Sequence, residues 1–509
     1  MAQINVNNMT FCYEGSFDNI FENVSFSIDT NWKLGFIGRN GKGKTTFLNL
    51  LLGKYSYQGI ISSSNTFDYF PYQVKEEYMD VSPVDFIYEL KENSELWKVI
   101  CELDKLNVDE EVLYRPYKTL SHGERTKVML AVLFSGENDF LLIDEPTNHL
   151  DKESRDIVKS YLQKKKGFIL VSHDRDLLDA CVDHVLVLNR NSIEVQSGNF
   201  SSWWENKRRV DMYAIKENEK HKKEINKLKE ASRRTQQWAE KSERSKIGFD
   251  PVKEHDRSIA TRSYIGAKTK KMQKRVSQLN DRINQEIADK EGLLQDIEEM
   301  VNIKIKPIQH HKNVLCNIKD YGLKYKDADK YLFEDMNLQI CQNERIFLSG
   351  ANGCGKSSLI KVILKKMLKE DIDELNIEEK GIMETASGIV VSYVNQDTSF
   401  LKGSIADYCE KNGLDRSLFC ALLRQLDMER VQFTKNMEDF SEGQKKKVLI
   451  AASLSIPAHI YIWDEPLNYI DVYARMQIEN LIFEYKPTML IVEHDVRFRE
   501  QIATKIVEV

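Results

Sequence analysis

Short, almost wholly apolar runs alternate with helical patterns through both ends of the chain. The runs LLI at 141–143 and FILVS at 168–172 have the length of strands, and a strand buried on both faces has this continuous apolar character. Residues 124–133, after the string LSHGE, have a helical pattern. Alternating strands and helices predict an α/β fold with a mainly parallel sheet.

The middle of the chain has the pattern of long helices instead. Ser202 and Glu205 have the spacing of a capping box, and no proline follows until Pro251, which predicts a helix that begins there. A sparse apolar stripe lies before a break at 247–251, and the apolar residues after the break recur at spacings of 4, 3, 4 and 4, which are typical of a helix-pairing seam. The stripes consist of Ile215, Ile225, Leu228 and Trp238, and of Met272, Val276, Leu279, Ile283 and Ile287.

Two antiparallel helices that close on these stripes would form a hairpin. Arms of about 40 residues would give a rod of roughly 60 Å, and Pro307 would end the second arm. We therefore expect an α/β domain at 1–200, a helical hairpin at 201–306 and a second α/β domain at 313–509.

Composition agrees with a globular chain of about three units. The 509 residues are 41% hydrophobic and 30% charged, which excludes a disordered chain. No run of about 18 apolar residues is present, and the first residues lack the pattern of a secretory signal. Eight scattered cysteines without a CxxC pair are typical of reduced thiols and offer no structural zinc site. We expect a cytoplasmic protein.

Charge is distributed unevenly along the chain. The formal net charge is -6, yet residues 206–306 contain 26 Lys and Arg against 17 Asp and Glu. Between 257 and 275 there are seven basic residues and no acidic one. This segment predicts contact with phosphate groups, although a basic stretch can also be a solvated helix face.

An internal repeat relates the two α/β domains. Two glycine-rich loops, GRNGKGKT at 38–45 and GANGCGKS at 350–357, each follow a tyrosine by 25 residues. LSHGE at 120–124 is matched by FSEGQ at 440–444, and each serine precedes the Asp of an apolar Asp-Glu-Pro string by 23 residues. Ordered matches at near-constant offset indicate a duplicated domain rather than an array of short repeats.

Both glycine-rich loops fit GxxxxGK[ST] and predict phosphate binding. Backbone N–H groups of such a loop approach the α- and β-phosphates, its lysine reaches the β- and γ-phosphates, and its last hydroxyl binds Mg²⁺. One match could be an accidental glycine turn, but two in a strand–loop–helix context favour nucleotide sites. The predicted residues are Gly38, Asn40, Gly41, Gly43, Lys44, Thr45 and Thr46, and Gly350, Asn352, Gly353, Gly355, Lys356, Ser357 and Ser358.

An apolar strand that ends in Asp-Glu follows each loop. Asp144 and Asp464 are predicted to hold Mg²⁺, directly or through water. Glu145 and Glu465 come next and are predicted to polarise the attacking water. An acidic pair at a strand end is often a helix cap, but the phosphate loop upstream favours catalysis.

These motifs resemble those of the ATP-binding-cassette superfamily over about 400 residues. In that family the serine and glycine of LSGGQ bind the γ-phosphate of a nucleotide held by the other domain. The resemblance therefore implies that Ser121 and Gly123 close on nucleotide at Lys356, and Ser441 and Gly443 on nucleotide at Lys44. It also implies two composite ATPase sites within one chain.

Further positions of that family follow in the same order. The resemblance implies that an aromatic residue stacks on adenine, a glutamine senses Mg²⁺ and γ-phosphate, a histidine acts as a switch, and an aspartate lies between the domains. These are Tyr13, Gln73, His173 and Asp151, and Tyr325, Gln396, His494 and Asp471. Departures such as His122 and Glu442, in place of a motif glycine, suggest unequal sites.

The string DEPTNHLD, the turn GNFSSWW and the basic middle resemble the ABC-F proteins. That resemblance implies a partner, the 70S ribosome with its large-subunit rRNA and P-site tRNA, a hairpin that points to the peptidyl-transferase centre, no membrane subunit, and a monomer that closes internally. Only 47 residues separate Gln73 from Leu120, which leaves little room for the arm of housekeeping members. The sequence looks like the antibiotic-resistance branch, which protects against lincosamides, streptogramin A and pleuromutilins.

Other functions remain open from sequence alone. They are a housekeeping ABC-F translation factor, the ATPase of a transporter, and a chromosome or DNA-repair ATPase with a coiled-coil insertion. In the hairpin, Phe249, His255 and Tyr264 could stack on bases or pin their own loop. The candidate RNA contacts are Phe249, Arg257, Arg262, Lys268, Lys270, Lys271, Lys274 and Arg275.

Overall fold

A computed structural model gives the fold of most of the chain. It describes residues 2–13, 19–92, 94–136, 139–148, 150–189, 192–244, 270–271, 274–279, 281–283, 285, 305, 307–326, 328, 330–351, 353–370 and 376–509, without the side chains of 235, 236 and 238–244. The following statements concern these residues. They fall into two compact units, one formed by Met1–Trp203 with Val301–Val509 and the other by Trp204–Met300.

Strands and helices alternate in both ends of the chain. The strands are β1 (Gln3–Phe11), β2 (Phe21–Asp29), β3 (Lys33–Ile37), β4 (Gln58–Ser62), β5 (Thr66–Phe70), β6 (Asp139–Asp144), β7 (Phe168–Val171), β8 (His184–Leu188), β9 (Ile193–Ser197), β10 (Val314–Tyr325), β11 (Phe333–Cys341), β12 (Arg345–Ser349), β13 (Ile377–Thr385), β14 (Val391–Val394), β15 (Ile460–Asp464), β16 (Met489–Val492) and β17 (Lys505–Glu508). The labelled helices are α1 (Lys44–Leu51), α2 (Pro83–Leu90), α3 (Leu96–Lys105), α4 (His122–Leu133), α5 (Lys152–Gln163), α6 (Arg175–Cys181), α7 (Phe200–Arg244), α8 (Lys356–Leu368), α9 (Ile405–Lys411), α10 (Arg416–Gln425), α11 (Glu442–Ser455), α12 (Val472–Tyr485) and α13 (Val496–Ile502).

The first half of the chain, up to Trp203, is built on a six-stranded sheet of order β5-β6-β7-β3-β8-β9. All pairs are parallel except β8 with β9. Because β3 and β6 are parallel and separated by one strand, their carboxyl ends lie at the same edge. The glycine-rich loop after β3 and the acidic pair after β6 are thereby brought together.

The second half, from Ile305 on, repeats this arrangement. Its five-stranded sheet has the order β14-β15-β16-β12-β17, and every pair is parallel. Trp463 and Tyr461 of β15 are fully buried beneath the helices that cover it. The predicted α/β fold with mainly parallel sheets is confirmed in both halves.

Each half also has a three-stranded antiparallel sheet, which the apolar runs did not predict. The orders are β2-β1-β4 and β11-β10-β13. In β1, buried Ile4 and Val6 alternate with more exposed residues, because only one face of this sheet covers the core.

The long helix α7 begins two residues earlier than the predicted capping box. Asn199 Oδ1 accepts hydrogen bonds from the backbone N–H of Ser202 at 3.0 Å and from its hydroxyl at 2.7 Å. Asn199 is therefore the cap, and the prediction for Ser202 and Glu205 is wrong. An asparagine side chain satisfies an orphan N–H of the first turn as well as a serine does.

The first turn of α7 contacts both halves of the chain. Asp179 of α6 accepts hydrogen bonds from the Ser201 N–H at 2.7 Å and from its hydroxyl at 2.5 Å. Arg497 of α13 donates to the Ser201 hydroxyl at 3.1 Å and also pairs with Asp179. Trp203 lies edge-on to Tyr473 of α12, with ring centroids 6.2 Å apart.

The two predicted apolar stripes are in contact at one place in the middle segment. Buried Ile225 of α7 packs with Leu228 and with buried Ile283, which lies in the helical residues 281–283. Ile215 and Leu279 were predicted in the stripes but are exposed, so these two contribute little to the described contact. Met272, Ile287, the break at 247–251 and the side chain of Trp238 lie outside the described residues.

None of the helices in the described ranges combines the length and the apolar character needed to cross a bilayer.

Candidate nucleotide-binding sites

Each glycine-rich loop joins a central strand to a helix. Gly43 and Gly355 are the N-caps of α1 and α8, with φ of 105° and 104°, a left-handed conformation that favours glycine. The next residues, Lys44 and Lys356, fold back over the loop. Their Nζ atoms donate to the carbonyls of Gly38 at 2.7 Å and Gly350 at 2.9 Å, so both ammonium groups lie where phosphates would be bound.

The predicted adenine-stacking tyrosines lie beside these loops. The hydroxyl of Tyr13 is 2.7 Å from Thr46 Oγ1, and that of Tyr325 is 2.8 Å from Ser358 Oγ. Both tyrosines are 41% exposed, so part of each side chain is accessible to a ligand. Asn352 lies outside the described residues.

The predicted magnesium ligands are paired in both halves. Thr45 Oγ1 is 3.2 Å from Asp144 Oδ2, and Ser357 Oγ is 3.2 Å from Asp464 Oδ1. In the first half the Tyr69 hydroxyl also donates to Asp144 Oδ2, at 3.1 Å. Sequence reasoning missed Tyr69, whose only signal is its place near the end of β5, next to the strand that carries Asp144.

Glu145 is held in a buried position at the end of β6. His173 Nε2 lies 3.4 Å from Glu145 Oε1, an oxygen that is buried and accepts no hydrogen bond from the described residues. Burial, and then the charge of Asp144, raise the pKa of Glu145 to about 8. Burial also lowers the pKa of His173 well below its usual value, and a neutral imidazole results near pH 7.

Glu465 occupies the equivalent place in the second half with more donors around it. Its Oε2 accepts hydrogen bonds from Gln396 at 2.9 Å and Asn468 at 2.8 Å, and His494 Nε2 lies 3.8 Å from Oε1. Burial opposes ionisation, but His494, and after it Asn468 and the charge of Lys446, outweigh burial and hold the pKa of Glu465 below its usual value. The structure thus places Gln396 in direct contact with Glu465.

Gln73 and Gln396 are both exposed, and Gln73 lies in the loop that follows β5. The two glutamines differ in one contact, because Gln396 donates a hydrogen bond to Glu465 and no corresponding bond joins Gln73 to Glu145 among the described residues.

The first glycine-rich loop contacts the second half of the chain. Asn40 Nδ2 donates to the backbone carbonyl of Tyr469 at 2.7 Å. Gly443 is buried against the same two residues, so that a Cβ at this position would lie 2.5 Å from Tyr469 O. Asp471 is fully buried and pairs with Lys447 at 2.8 Å. Burial lowers the pKa of Lys44 below its usual value, and the nearby charge of Asp471 opposes this effect without outweighing it.

The other pairing, of Ser121 and Gly123 with the second loop, is looser. The atom nearest to a Cβ at Gly123 would be Ser154 Oγ of its own half, at 3.4 Å. Burial opposes ionisation of Asp151, but hydrogen bonds from Ser154, and then the proximity of His494 in the second half, hold the pKa of Asp151 below its usual value. Ser121 and Ser441 each cap the helix that follows, at 3.2 Å and 3.3 Å.

These surroundings fit ATP with Mg²⁺. Each half offers a hydroxyl and a carboxylate, the hard oxygen ligands that Mg²⁺ prefers. Two buried or half-buried lysines and two helix N-termini supply positive charge for phosphates. The unsatisfied oxygen of Glu145 offers an acceptor for a water O–H.

The candidate RNA contacts of the hairpin are described in part. Lys270, Lys271, Lys274 and Arg275 are helical and exposed. Phe249, Arg257, Arg262 and Lys268 lie outside the described residues, as do His255 and Tyr264.

Two stretches of the chain match one family model. The model, described as "ABC transporter", matches residues 21–148 and 333–468, one in each half and together more than half of the chain. The chain therefore belongs to this family of ATP-binding cassettes. It is an ATP hydrolase that uses ATP with Mg²⁺, and we refer to its halves as the first and second cassette.

Curated relatives match the chain along nearly its whole length. The ATP-binding protein Uup of Buchnera aphidicola subsp. Acyrthosiphon pisum is 28% identical, with 99% of this chain and 80% of the relative covered. The ribosome protection protein VmlR of Bacillus subtilis is 27% identical (96% and 84%), and the energy-dependent translational throttle protein EttA of Haemophilus influenzae is 24% identical (96% and 89%). Within its family the chain is an ABC-F ATP-binding protein.

Solved structures show the same tandem fold. An archaeal ribosome recycling factor, aABCE1, solved with the ribosomal stalk protein aP1, matches with a TM-score of 0.61 at 16% identity, covering 98% of this chain and 87% of that one. A structure titled RNase-L Inhibitor matches at 0.60 and 17%, covering 99% and 87%. At this identity the likeness concerns the fold alone.

Proposed function

We propose that the chain protects bacterial ribosomes from lincosamides, streptogramin A and pleuromutilins. ATP binding closes the two cassettes and holds the hairpin in the tRNA exit site, near large-subunit rRNA and P-site tRNA. Hydrolysis then releases the protein. The hydrogen bond from Asn40 to Tyr469 supports the closure step of this proposal, because it joins a phosphate-binding loop of one cassette to the other cassette.

The roles of the site residues belong to the same proposal. Lys44 and Lys356 bind phosphates, while Ser441 with Gly443 and Ser121 with Gly123 contact the γ-phosphate across the interface. Mg²⁺, held through Thr45 and Asp144 or Ser357 and Asp464, neutralises charge on the phosphates when bound. Glu465, and Glu145 in its ionised form, accept a proton from the attacking water, and His173 and His494 orient these carboxylates and the phosphate.

Support for a ribosomal partner comes from charge and from relatives. Exposed Lys270, Lys271, Lys274 and Arg275 lie in a stretch without acidic residues, which suits rRNA phosphates. VmlR is named a ribosome protection protein, and EttA a translational throttle protein. The short segment between Gln73 and Leu120 favours the resistance branch over the housekeeping one.

Sedimentation with 70S ribosomes tests the partner. Glu145→Gln with Glu465→Gln should trap ATP, and the protein should then sediment with ribosomes in ATP but not in ADP. Lys270→Glu with Lys271→Glu should weaken binding and reduce its salt dependence while ATP binding persists. Normal ATP turnover by the doubly Gln-substituted chain, or unaltered sedimentation of the Lys variant, would contradict these assignments.

Drug susceptibility tests the finer function. Expression in a susceptible bacterium should raise the inhibitory concentration of at least one of the three drug classes, and the doubly Gln-substituted chain should not. If sedimentation succeeds and no drug is affected, a housekeeping translation factor is the better description. Sedimentation with membranes or DNA instead of ribosomes would favour the transporter or the chromosome ATPase.

A further inference from the structure

Three charge pairs join the two cassettes around the first phosphate loop. Arg39 Nη1 lies 2.5 Å from Asp427 Oδ1, and Lys42 pairs with Glu429. Below them, Arg175 forms a two-pronged pair with Glu479, with one donor–acceptor distance of 3.0 Å. The first two pairs are partly exposed, whereas the third is almost completely buried.

The internal repeat identifies the equivalent positions at the second loop. Arg39 and Lys42 are replaced there by Ala351 and Cys354, at the same places in the motif. Asp427 precedes Ser441 by the same number of residues as Asn107 precedes Ser121, which places a neutral amide opposite Ala351. The second loop therefore lacks both charges of the Arg39–Asp427 pair.

The other two pairs are also missing at the second loop. Asp109 takes the place of Glu429, but its partner position is Cys354, and Asp109 caps the backbone N–H of Glu111 at 2.9 Å. Val496 and Lys159 take the places of Arg175 and Glu479. Lys159 pairs within its own cassette instead, with Asp156 at 3.0 Å and Asp176 at 2.7 Å.

Opening the first site would separate the three charge pairs Arg39–Asp427, Lys42–Glu429 and Arg175–Glu479. Opening the second site would separate no equivalent pair, because the corresponding positions do not form one. A buried pair such as Arg175 with Glu479 resists separation strongly, because each charge would be left without its partner until water reaches it. The exposed pairs add less, and salt screens them. The contacts between Asn40, Gly443 and Tyr469 also lie on the first side.

We propose that Arg39, Lys42 and Arg175 are positioning residues that keep the first ATP site closed while the second site opens and exchanges nucleotide. This inference rests on the two composite sites of the proposed function. In this proposal the second site, at Lys356, is the one that exchanges nucleotide. The first site retains its nucleotide and holds the cassettes together through successive openings.

Release of a fluorescent, non-hydrolysable ATP analogue tests the inference. With Mg²⁺ and an unlabelled chase, a mant-labelled analogue should leave the intact chain in a slow and a fast phase. Lys356→Ala should retain the slow phase and Lys44→Ala the fast phase. Equal release rates in these two single-site chains would overturn the inference, and failure of both to bind the analogue would overturn the site assignment of the proposed function itself.

Variants of the second cassette test the charge pairs without altering a phosphate loop. Asp427→Asn with Glu429→Gln should accelerate the slow phase by about threefold to tenfold and leave the fast phase as it is. Added KCl should accelerate the slow phase of the intact chain but not that of the variant. Acceleration of the fast phase instead would overturn the inference.

A transplanted pair provides the matched control. Asn107→Asp with Ala351→Arg gives the second site the equivalent of the first pair and should slow the fast phase. Arg39→Ala combined with Asp427→Asn should accelerate release no more than either change alone, because both remove one interaction. Additive effects would mean that the two residues act independently, and the pair would then have no part in closure.

Discussion

The two signature glycines have different neighbours although their motifs are equivalent. A Cβ at Gly443 would lie 2.5 Å from Tyr469 O and 3.1 Å from Asn40 Nδ2, which belongs to the other cassette. At Gly123 the nearest atom would be Ser154 Oγ at 3.4 Å, an ordinary contact. Gly443 is thus the more tightly packed of the two, against the backbone of Tyr469 in its own cassette and beside the Asn40 side chain of the other.

Gly443→Ala should therefore impair the first site more than Gly123→Ala impairs the second. The methyl group of Gly443→Ala meets backbone atoms, and overpacking of about 1–3 kcal/mol corresponds to a loss of about fivefold or more in ATP affinity at Lys44. Alanine strengthens both helices, so a weaker helix cannot be the cause. Nucleotide titration of the two variants checks this, and equal losses would contradict it.

Tyr69 orients a predicted magnesium ligand, and its counterpart Tyr393 does not. The Tyr69 hydroxyl donates to Asp144 Oδ2, whereas that of Tyr393 donates to Asn395 Oδ1 at 3.3 Å. A group that orients a metal ligand contributes about tenfold or more to metal affinity. The tyrosines are equivalent in position and differ in this contact.

Tyr69→Phe should raise the Mg²⁺ concentration needed for half-maximal ATPase activity by about tenfold, because Asp144 loses a donor that fixes its carboxylate. Tyr393→Phe is the matched control and should shift the Mg²⁺ dependence less. Magnesium titration of nucleotide binding gives a second readout that does not depend on turnover. A larger effect of Tyr393→Phe would contradict the assignment.

At the scale of elements, a small apolar contact joins α7 to the described residues of the second predicted arm. Ile225 and Ile283 are the buried residues of this cluster, and Leu228 packs against them. Leu279, one turn before Ile283, is 46% exposed. Neighbouring turns of the same helical stretch therefore contribute unequally to the pairing of the arms.

Ile283→Ala should loosen the hairpin by about 2 kcal/mol, since it removes apolar contacts and leaves a gap against Ile225. Leu279→Ala should cost much less, because the side chain already meets solvent. Hydrogen exchange of the α7 amides near Ile225 measures the difference. Equal protection in both variants would contradict the contact.

Much of the fold was predictable because motif order and apolar runs are local in sequence. The strands β6 and β7, the helix α4 and the phosphate loops belong to this class. The antiparallel sheets were missed, because one-sided strands such as β1 have a weak pattern of alternate burial. The Asn199 cap was missed because Ser202 and Glu205 offer an equally good local alternative.

Parts of the candidate site depend on contacts that no local pattern shows. The bond from Asn40 to Tyr469 and the pair of Arg175 with Glu479 join residues from different cassettes, more than 300 positions apart. The inequality of Glu145 and Glu465 likewise comes from their surroundings. Motif spacing gave the same role to both.

At the scale of the whole molecule, a buried charge network joins the cassettes. Arg175 pairs with Glu479 and lies 3.7 Å from Asp495, which Arg475 also contacts at 2.9 Å. All four side chains are at most 9% exposed. Such a network stabilises the interface only while every charge keeps its partner.

Arg175→Met should lower the free energy of unfolding by about 3 kcal/mol, because it leaves Glu479 buried beside Asp495 without a cation between them. Lys159→Met, at the position equivalent to Glu479, should cost less than about 1 kcal/mol, since that lysine is partly exposed. Denaturant unfolding measures both. Arg175→Met combined with Glu479→Met should recover most of the loss.

The same network predicts how stability depends on pH. Burial opposes ionisation of Asp495, but Arg475 and Arg175 outweigh it and hold its pKa below the usual value. An unfolded aspartate has a pKa of about 3.9, so the stabilisation is complete well above that pH and is lost as the pH falls below about 4. Melting temperature should fall between pH 5 and pH 3, and less so in Asp495→Asn, which should already be less stable at pH 7.

The contacts at the first turn of the long helix α7 allow a small tilt there to become a large displacement at its far end. Ser201 forms hydrogen bonds with Asp179 of the first cassette and with Arg497 of the second. A movement of one cassette relative to the other therefore acts directly on the first turn of α7. The helix has 45 residues, a length of about 65 Å. A tilt of about 5° at this anchor would carry its far end through about 6 Å, roughly the width of one nucleotide, without any residue of the helix changing conformation.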